Sequence, residues 1–187
     1  MNKPLDVVAI VGSLRAESLT RRVVIALAAM TRDTLAVDIA EIGGLPLYNQ
    51  DSDTVPPSTW TAFRSRIKRA DAVLFATPEY NRSVPGGLKN AIDVGSRPYG
   101  SSAWAGKPAA VLSVSPGSLG AFGANHHLRQ SLVFLDMPTL QQPEAYLGGA
   151  DKLLDEEGRI TSAASQAFLL RFGQAFDAWI RRQKRDL

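Results

Sequence analysis

Residues 5–20 read Leu-Asp-Val-Val-Ala-Ile-Val-Gly-Ser-Leu-Arg-Ala-Glu-Ser-Leu-Thr, and they are the most informative stretch of the chain. An apolar strand pattern over 5–11 runs through one glycine into a group of hydroxyls around Arg15, and an amphipathic helix pattern follows at once. Backbone N–H groups at a helix N-terminus, small hydroxyl donors and a forked guanidinium together bind a terminal phosphate. The stretch therefore predicts a strand, a phosphate-binding loop and a helix.

Several other kinds of phosphate site do not match this loop. The motif Gly-x-x-x-x-Gly-Lys-Ser/Thr is absent, so no lysine is placed for nucleotide β- and γ-phosphates. Gly12 is the only glycine of the turn, which makes the bridging pyrophosphate of a dinucleotide a poorer match. The chain contains no cysteine, so a cysteine phosphatase is excluded. An ordinary strand-to-helix turn capped by Ser18 stays open as the alternative.

Length and composition predict a single globular domain covering residues 1–187. Hydrophobic residues make up 45% and charged residues 21%, as in ordinary soluble proteins. The longest wholly apolar run, 23–30, is too short to cross a bilayer, and no signal-peptide pattern is visible. The absence of cysteine excludes disulfides and thiolate metal sites and fits a reducing compartment. We expect a cytoplasmic protein without a membrane partner.

The charge pattern argues against nucleic acid as a partner. The net charge is only +3, and its excess is concentrated in residues 181–185, where cations complement a helix dipole. No nucleic-acid motif is recognisable. His126 and His127 are adjacent, so on a helix they point in different directions and make a poor metal-binding pair. We expect no metal site and no nucleic-acid partner.

Strand-like apolar runs alternate with helical periodicity, which is typical of a parallel sheet with helices on both faces. The predicted strands are 7–11, 35–39, 71–77, 109–114 and a short last strand at 139–142. The predicted helices are 18–30, one following Pro57, 88–94, 125–134 and 161–183. The loops after strands one, three and four leave the carboxyl ends of parallel strands, where open α/β sheets bind ligands. These three loops are therefore predicted to meet in one crevice.

The second and third of these loops suit a flat, polar ligand. Prolines bracket residues 78–87 and fix a backbone edge of donors and acceptors, to which Tyr80 adds an aromatic ring and Asn81 an amide. Residues 115–120 are rich in glycine and serine and can bring bare backbone close to a ligand. A turn that merely carries a tyrosine, and a flexible connection, are the respective alternatives. The long loop at 43–57 is also more typical of a functional segment than of a plain connection.

Four motifs in this order resemble a known family. They are Gly-Ser-Leu-Arg-x-x-Ser at 12–18, Leu-Pro-Leu-Tyr-Asn-Gln-Asp at 45–51, Pro-Glu-Tyr-Asn at 78–81 and Pro-Gly-Gly-Leu-Lys-Asn-Ala-Ile-Asp at 85–93. With them the chain resembles the NADPH-dependent FMN reductases over nearly its whole length, and within that family the quinone and chromate reductases.

The resemblance implies a flavodoxin-like α/β fold, a three-layer sandwich around a five-stranded parallel sheet of order 2-1-3-4-5. It implies an FMN phosphate held by Ser13, Arg15, Ser18 and Thr20. The isoalloxazine edge would be lined by Pro78, Glu79, Tyr80 and Asn81, with Ser115 and Gly117 near the other side of the ring. Self-association as a homodimer or homotetramer is also implied. The chain lacks the arginine that usually follows the third loop of the family, so the choice between dimer and tetramer stays open.

No Ser–His–Asp pattern or paired carboxylates are legible, so reactivity is expected to come from a cofactor rather than a catalytic side chain. The resemblance implies an oxidoreductase that passes a hydride from NADPH or NADH to bound FMN. The resemblance also implies small-molecule electron acceptors, namely quinones or other small oxidants such as chromate or free flavin. Arg82 and Arg97 are candidates to attract the anionic nicotinamide cofactor, with plain surface solubility as the alternative. The competing function is a flavin-binding electron carrier or sensor without turnover, although such carriers are usually acidic and this chain has a pI near 9.4.

Overall fold

The structure is a computed structural model that describes residues 3–185. Its strands are β1 (Leu5–Val11), β2 (Leu35–Ala40), β3 (Ala72–Thr77), β4 (Ala109–Val114) and β5 (Ala145–Leu147). All neighbouring pairs are parallel, in the order β2-β1-β3-β4-β5, which confirms the predicted topology. Every residue of β3 and β4 is buried, and for that reason both strands read as continuous apolar runs.

Five helices cover the sheet: α1 (Leu19–Thr31), α2 (Ser58–Arg69), α3 (Gly86–Gly95), α4 (Phe122–Phe134) and α5 (Ala163–Arg185). Two short 3-10 turns, Gln50–Ser52 and Ala150–Lys152, lie in the connections. The alternation of side chains along β1 separates two cores. Val7, Ala9 and Val11 pack with α1 and α5, whereas Val8 and Ile10 pack with α2, α3 and α4. The result is the expected three-layer arrangement.

The last strand lies later in the chain than predicted. Residues 139–142 do not form a strand: Thr139 makes an isolated bridge to Ala109, and Leu140 donates to the Ala109 carbonyl at 2.8 Å. Regular pairing with β4 resumes only at Ala145, opposite Leu112. Pro143 lies between the two paired segments and has no N–H to donate, so the edge strand is interrupted there. The prediction of 139–142 was wrong because it stopped at this interruption.

Two of the cations near the C-terminus, Arg181 and Lys184, have acidic partners. Arg181 pairs with Asp177 one helical turn away at 2.9 Å, and Lys184 reaches Asp71 at 2.6 Å. Among the helices of residues 3–185, none is long and apolar enough to cross a membrane. The same described range contains no group of three or more metal-ligating side chains.

Candidate functional site

The first and second loops meet directly at the carboxyl edge of the sheet. Gly12 donates its N–H to the Ala76 carbonyl at 2.8 Å, which joins the end of β1 to β3. A Cβ at Gly12 would lie 3.1 Å from Leu88 and 3.3 Å from Pro78, so this close approach favours a glycine. A cavity of about 290 Å³ opens between the two loops and is lined by Gly12, Leu14, Arg15, Tyr80, Pro85, Gly86 and Gly87. The structure thus brings Arg15 and Tyr80 together, as predicted.

The first loop combines a capping residue with two uncommitted polar side chains. Ser18 accepts a hydrogen bond from the Arg21 N–H at 3.1 Å and caps α1, so the simple capping interpretation holds for this residue. A serine that accepts in this way still has its own hydroxyl hydrogen to donate. Within residues 3–185, no hydrogen bond or ion pair uses the side chain of buried Ser13 or of exposed Arg15. Thr20 lies buried in the first turn of the helix.

These features suit a terminal phosphate. The N-terminal N–H groups of α1, the free hydroxyl hydrogens and the Arg15 guanidinium are donors, and the helix dipole adds positive potential at the same place. Arg21, nearby, is already committed: a two-pronged contact with Glu41 lowers the pKa of that carboxyl. The residues of the first loop therefore fit the phosphate of a mononucleotide such as FMN.

The second loop contains a tight turn that is shaped without a ligand. Tyr80 and Ser83 exchange two backbone hydrogen bonds of 3.0 Å, and the two residues between them, Asn81 and Arg82, have φ of 52° and 64°. Asparagine tolerates this left-handed backbone better than most residues. The backbone groups of Tyr80 and Ser83 are thus used inside the turn. The predicted rigid edge exists, although fewer of its backbone groups are free than the sequence suggested.

The side chain of Glu79 faces α4 rather than solvent. Its carboxylate accepts the Ala124 N–H at 3.0 Å and pairs with Arg82 at 2.8 Å, and only 12% of the side chain is exposed. Burial alone would raise the pKa of Glu79, but the hydrogen bonds from Ala124 and Arg82 outweigh it, so the pKa is lowered. Glu79 therefore contributes an ionised carboxylate to the scaffold, and Arg82 is its partner.

The third loop lies against the segment that follows β5. The Ser115 hydroxyl accepts the Gly117 N–H at 3.1 Å, while the Ser115 N–H donates to Leu147 and its carbonyl accepts from Ala150. A Cβ at Gly148 would lie 2.7 Å from the Ser118 carbonyl oxygen, so the two segments are in close contact. Ser115 and Gly117 are outside the lining of the 290 Å³ cavity.

Arg97 lies away from the crevice. Its guanidinium is 5.9 Å from the centre of the Tyr48 ring, and it borders a separate groove of about 490 Å³ with Lys89, Asp93 and His127. Another cavity, of about 650 Å³, lies around Gly106 and Trp179 and includes none of the predicted site residues.

The two histidines contact different residues and do not form a cluster with each other. His127 lies 2.9 Å from the Ser83 hydroxyl, and His126 lies 3.0 Å from the Tyr146 hydroxyl. Both histidines are exposed, and the His126 ring lies against Phe122 with the ring centres 4.2 Å apart.

The sequence did not predict how the loop at 43–57 is held. Asn90 of α3 accepts the Tyr48 N–H at 2.8 Å and donates to the carbonyls of Leu45 and Pro46. Asn90 is buried. In the sequence, a polar residue that interrupts the apolar face of a short helix is the one pattern that could have indicated this contact. Leu14 is the link to the crevice, because a Cβ at Gly43 or at Gly87 would lie 3.4 or 3.3 Å from its methyl groups.

Comparisons with known proteins agree with this geometry. The profile of the family described as NADPH-dependent FMN reductase matches residues 5–152. A quinone reductase from Pseudomonas putida is 58% identical over 182 residues, which is 97% of either chain. A 2-hydroxy-1,4-benzoquinone reductase from Burkholderia sp. is 42% identical and covers 95% of this chain and 97% of its own. A solved structure of the flavoenzyme NAD(P)H:(acceptor) oxidoreductase FerB from Paracoccus denitrificans superposes with a TM-score of 0.92 at 39% identity, covering 96% and 98% of the two chains.

These matches confirm the resemblance, the flavodoxin-like fold, FMN as the cofactor with NAD(P)H as donor, and the interpretation as an oxidoreductase rather than a carrier or sensor. The first loop, at the carboxyl edge, fits the phosphate of that cofactor, and the family match over residues 5–152 includes all three predicted loops. The chain belongs to the NADPH-dependent FMN reductase family.

Proposed function

We propose that this protein is an FMN-dependent quinone reductase that uses NADPH or NADH. The observation that carries the proposal is the pair of uncommitted donors, Ser13 and Arg15, in the loop before α1, where Arg15 lines a cavity together with Tyr80. Relatives named quinone reductase, at up to 58% identity over almost the full length, support quinones as the acceptor class. Chromate and free flavin are the other acceptors to compare.

In this proposal the chain binds one FMN through both its phosphate and its isoalloxazine ring. Ser13, Arg15, Ser18 and Thr20 hold the phosphate; the support for this is the available hydrogens and charge at the N-terminus of α1. Pro78, Glu79, Tyr80 and Asn81 border the isoalloxazine ring, with Glu79 contributing only backbone because its carboxylate is engaged. Ser115 and Gly117 border the far side of the ring.

FMN, when bound, supplies the redox chemistry by accepting a hydride from the nicotinamide donor and passing electrons to the acceptor. The residues of the chain position the groups and supply charge. Arg82 lies in the turn at 80–83, and 75% of its side chain is exposed. It can therefore attract the anionic nicotinamide donor even while it is paired with Glu79. Arg97 stacks on Tyr48 instead, and we propose that it mainly orders the loop at 43–57.

We further propose that the protein self-associates as a homodimer or homotetramer in the cytoplasm. Val133 and Phe134 at the end of α4 are 79% and 88% exposed, which is unusual for large apolar side chains of a monomer. The absence of cysteine fits a reducing compartment.

Titration with FMN tests the cofactor site. Arg15→Ala removes one charge-assisted contact, so the binding free energy of FMN should weaken by about 1.5–3 kcal/mol. The dissociation constant should then rise roughly 10- to 150-fold. The free energy of unfolding without FMN should change by less than about 0.5 kcal/mol, because Arg15 is exposed. Arg32→Ala, which removes another exposed arginine at the far end of α1, is the matched control and should leave FMN binding unchanged.

Anaerobic mixing with NADPH or NADH, followed by benzoquinone, chromate or free FMN, tests the acceptor. The proposal requires turnover to be fastest with the quinone. Wild-type FMN binding without NAD(P)H oxidation would contradict it, as would unchanged FMN affinity in Arg15→Ala.

A further inference from the structure

Helix α4 begins without a capping side chain of its own. The residue before it is Ala121, which has φ of 60° and no side-chain acceptor. The first N–H groups of any helix lack partners within the helix and need acceptors from elsewhere. Because α4 follows the third loop directly, its N-terminus fixes where that loop ends.

The missing acceptor comes from the second loop. Glu79 accepts the Ala124 N–H at 3.0 Å with one carboxylate oxygen, while the other oxygen receives Arg82 at 2.8 Å. A negative charge at this end of the helix is favoured by the helix dipole. Glu79 thus acts as the N-terminal cap of a helix that begins 43 residues later in the chain.

Gly123 leaves the space that this contact needs. A Cβ at position 123 would lie 2.9 Å from the Glu79 carboxylate oxygen and 3.2 Å from the Arg82 carbonyl oxygen. The carboxylate would have to move away, since it is the flexible end of its side chain. Glycine is a poor helix former, so its presence in the first turn of α4 is explained by this approach and not by helix stability.

A second contact lies one helical turn further along α4. The Ser83 hydroxyl and Nδ1 of His127 are 2.9 Å apart. The turn at 80–83 is therefore attached to the helix on both sides, at Glu79 and at Ser83.

We infer that Glu79 is a positioning residue that aligns the ring-edge loop (78–83) with the third loop (115–120) through the N-terminus of α4. The inference rests on the proposed function, in which these two loops border opposite sides of the FMN ring. Loss of the carboxylate would free the start of α4 and let the two loops move apart, although no atom of the carboxylate touches the cofactor.

The test compares Glu79→Ala, Glu79→Gln and Gly123→Ala in the full chain. Amide hydrogen exchange of the ligand-free protein is measured over 121–127, and the dissociation constant for FMN is measured by fluorescence. Glu79→Ala should speed exchange at Gly123 and Ala124 and raise the FMN dissociation constant about tenfold, the scale of one hydrogen bond to a charged group. Glu79→Gln keeps an acceptor oxygen, so it should stay within about threefold of the wild type.

Gly123→Ala gives the sharpest result, because alanine improves helix propensity while its Cβ displaces the carboxylate. We expect weaker FMN binding with a melting temperature at or above that of the wild type. Lys89→Ala, which breaks an exposed i,i+4 pair with Asp93 on α3, is the control and should change neither readout.

Two outcomes overturn the inference: faster exchange at α4 with unchanged FMN affinity, or weaker affinity with unchanged exchange, which would mean that the carboxylate meets the cofactor directly. Failure of the proposed function is distinguishable, because then the wild-type chain itself does not bind FMN.

Discussion

The loop at 12–18 and the loop at 43–57 both follow strands at the same edge of the sheet. They differ in whether their polar side chains are hydrogen-bonded within the protein. In the loop at 43–57, Tyr48 donates its hydroxyl to Asp53 at 3.0 Å, and Asn49 accepts the Asp51 N–H at 3.1 Å. In the loop at 12–18, Ser18 caps α1, but the side chains of Ser13 and Arg15 make no hydrogen bond or ion pair with a described residue.

This difference separates two kinds of polar loop. A buried polar group must find a partner, so a loop whose groups bond one another and the helices beneath serves the scaffold. A loop that keeps donors uncommitted beside a cavity has them available for a ligand. Both loops look equally polar in sequence, and only their contacts tell them apart.

The largest effect should come from the ion pair beneath the loop at 43–57. Arg64 and Asp53 lie 3.8 Å apart with side chains only 9% and 17% exposed, and burial lowers the pKa of Arg64. Asp53→Ala leaves this buried arginine without a counter-charge, so the free energy of unfolding should fall by about 3 kcal/mol. Urea denaturation measures it.

A double variant shows whether the loss comes from the unpaired charge. Replacing both partners, as Asp53→Ala with Arg64→Met, should recover most of the stability lost by Asp53→Ala alone. Asp33→Ala removes an aspartate from an exposed pair and should cost at most about 0.5 kcal/mol. If the free energy of unfolding fell equally in Asp33→Ala and Asp53→Ala, the ion pair of the loop at 43–57 would have no special role in the scaffold.

The next effect should come from Asn90. Asn90→Ala removes three hydrogen bonds to the backbone of 45–48 and should cost about 2 kcal/mol, since these groups lose their partners while partly buried. Asn49→Ala, at an exposed turn of the same loop, should cost about 0.5 kcal/mol. If Asn90→Ala weakened FMN binding but not stability, the loop at 43–57 would belong to the ligand site.

Most strands could be predicted because they are encoded locally, whereas the order of the strands was implied by the resemblance to the family. Alternating apolar runs fix the strands, and glycine, hydroxyls and arginine within seven residues, 12–18, indicate an anion site. The contacts of Asn90, Glu79 and Arg64 could not be predicted, since each joins segments 30 or more residues apart. No local pattern reports such a partner. The last strand was misplaced for a related reason, because its two paired pieces depend on where β4 lies.

Glu79 tests the boundary between the two kinds of loop, and its effect should be the smallest. The sequence predicts that Glu79 lies in the crevice, but its carboxylate accepts hydrogen bonds from the Ala124 N–H and from Arg82. Its pKa in the folded protein is below the reference of 4.5, so its stabilising contribution is fully present above that value and is lost as the pH falls through the folded pKa. Between pH 6 and pH 3, wild type should lose about 0.5 kcal/mol more stability than Glu79→Gln, on the scale of a single ion pair. Because every other carboxylate titrates alike in both proteins, the difference between their urea curves isolates Glu79. Parallel losses would mean that the carboxylate is not held by α4, and Glu79 would return to the residues free to meet a ligand.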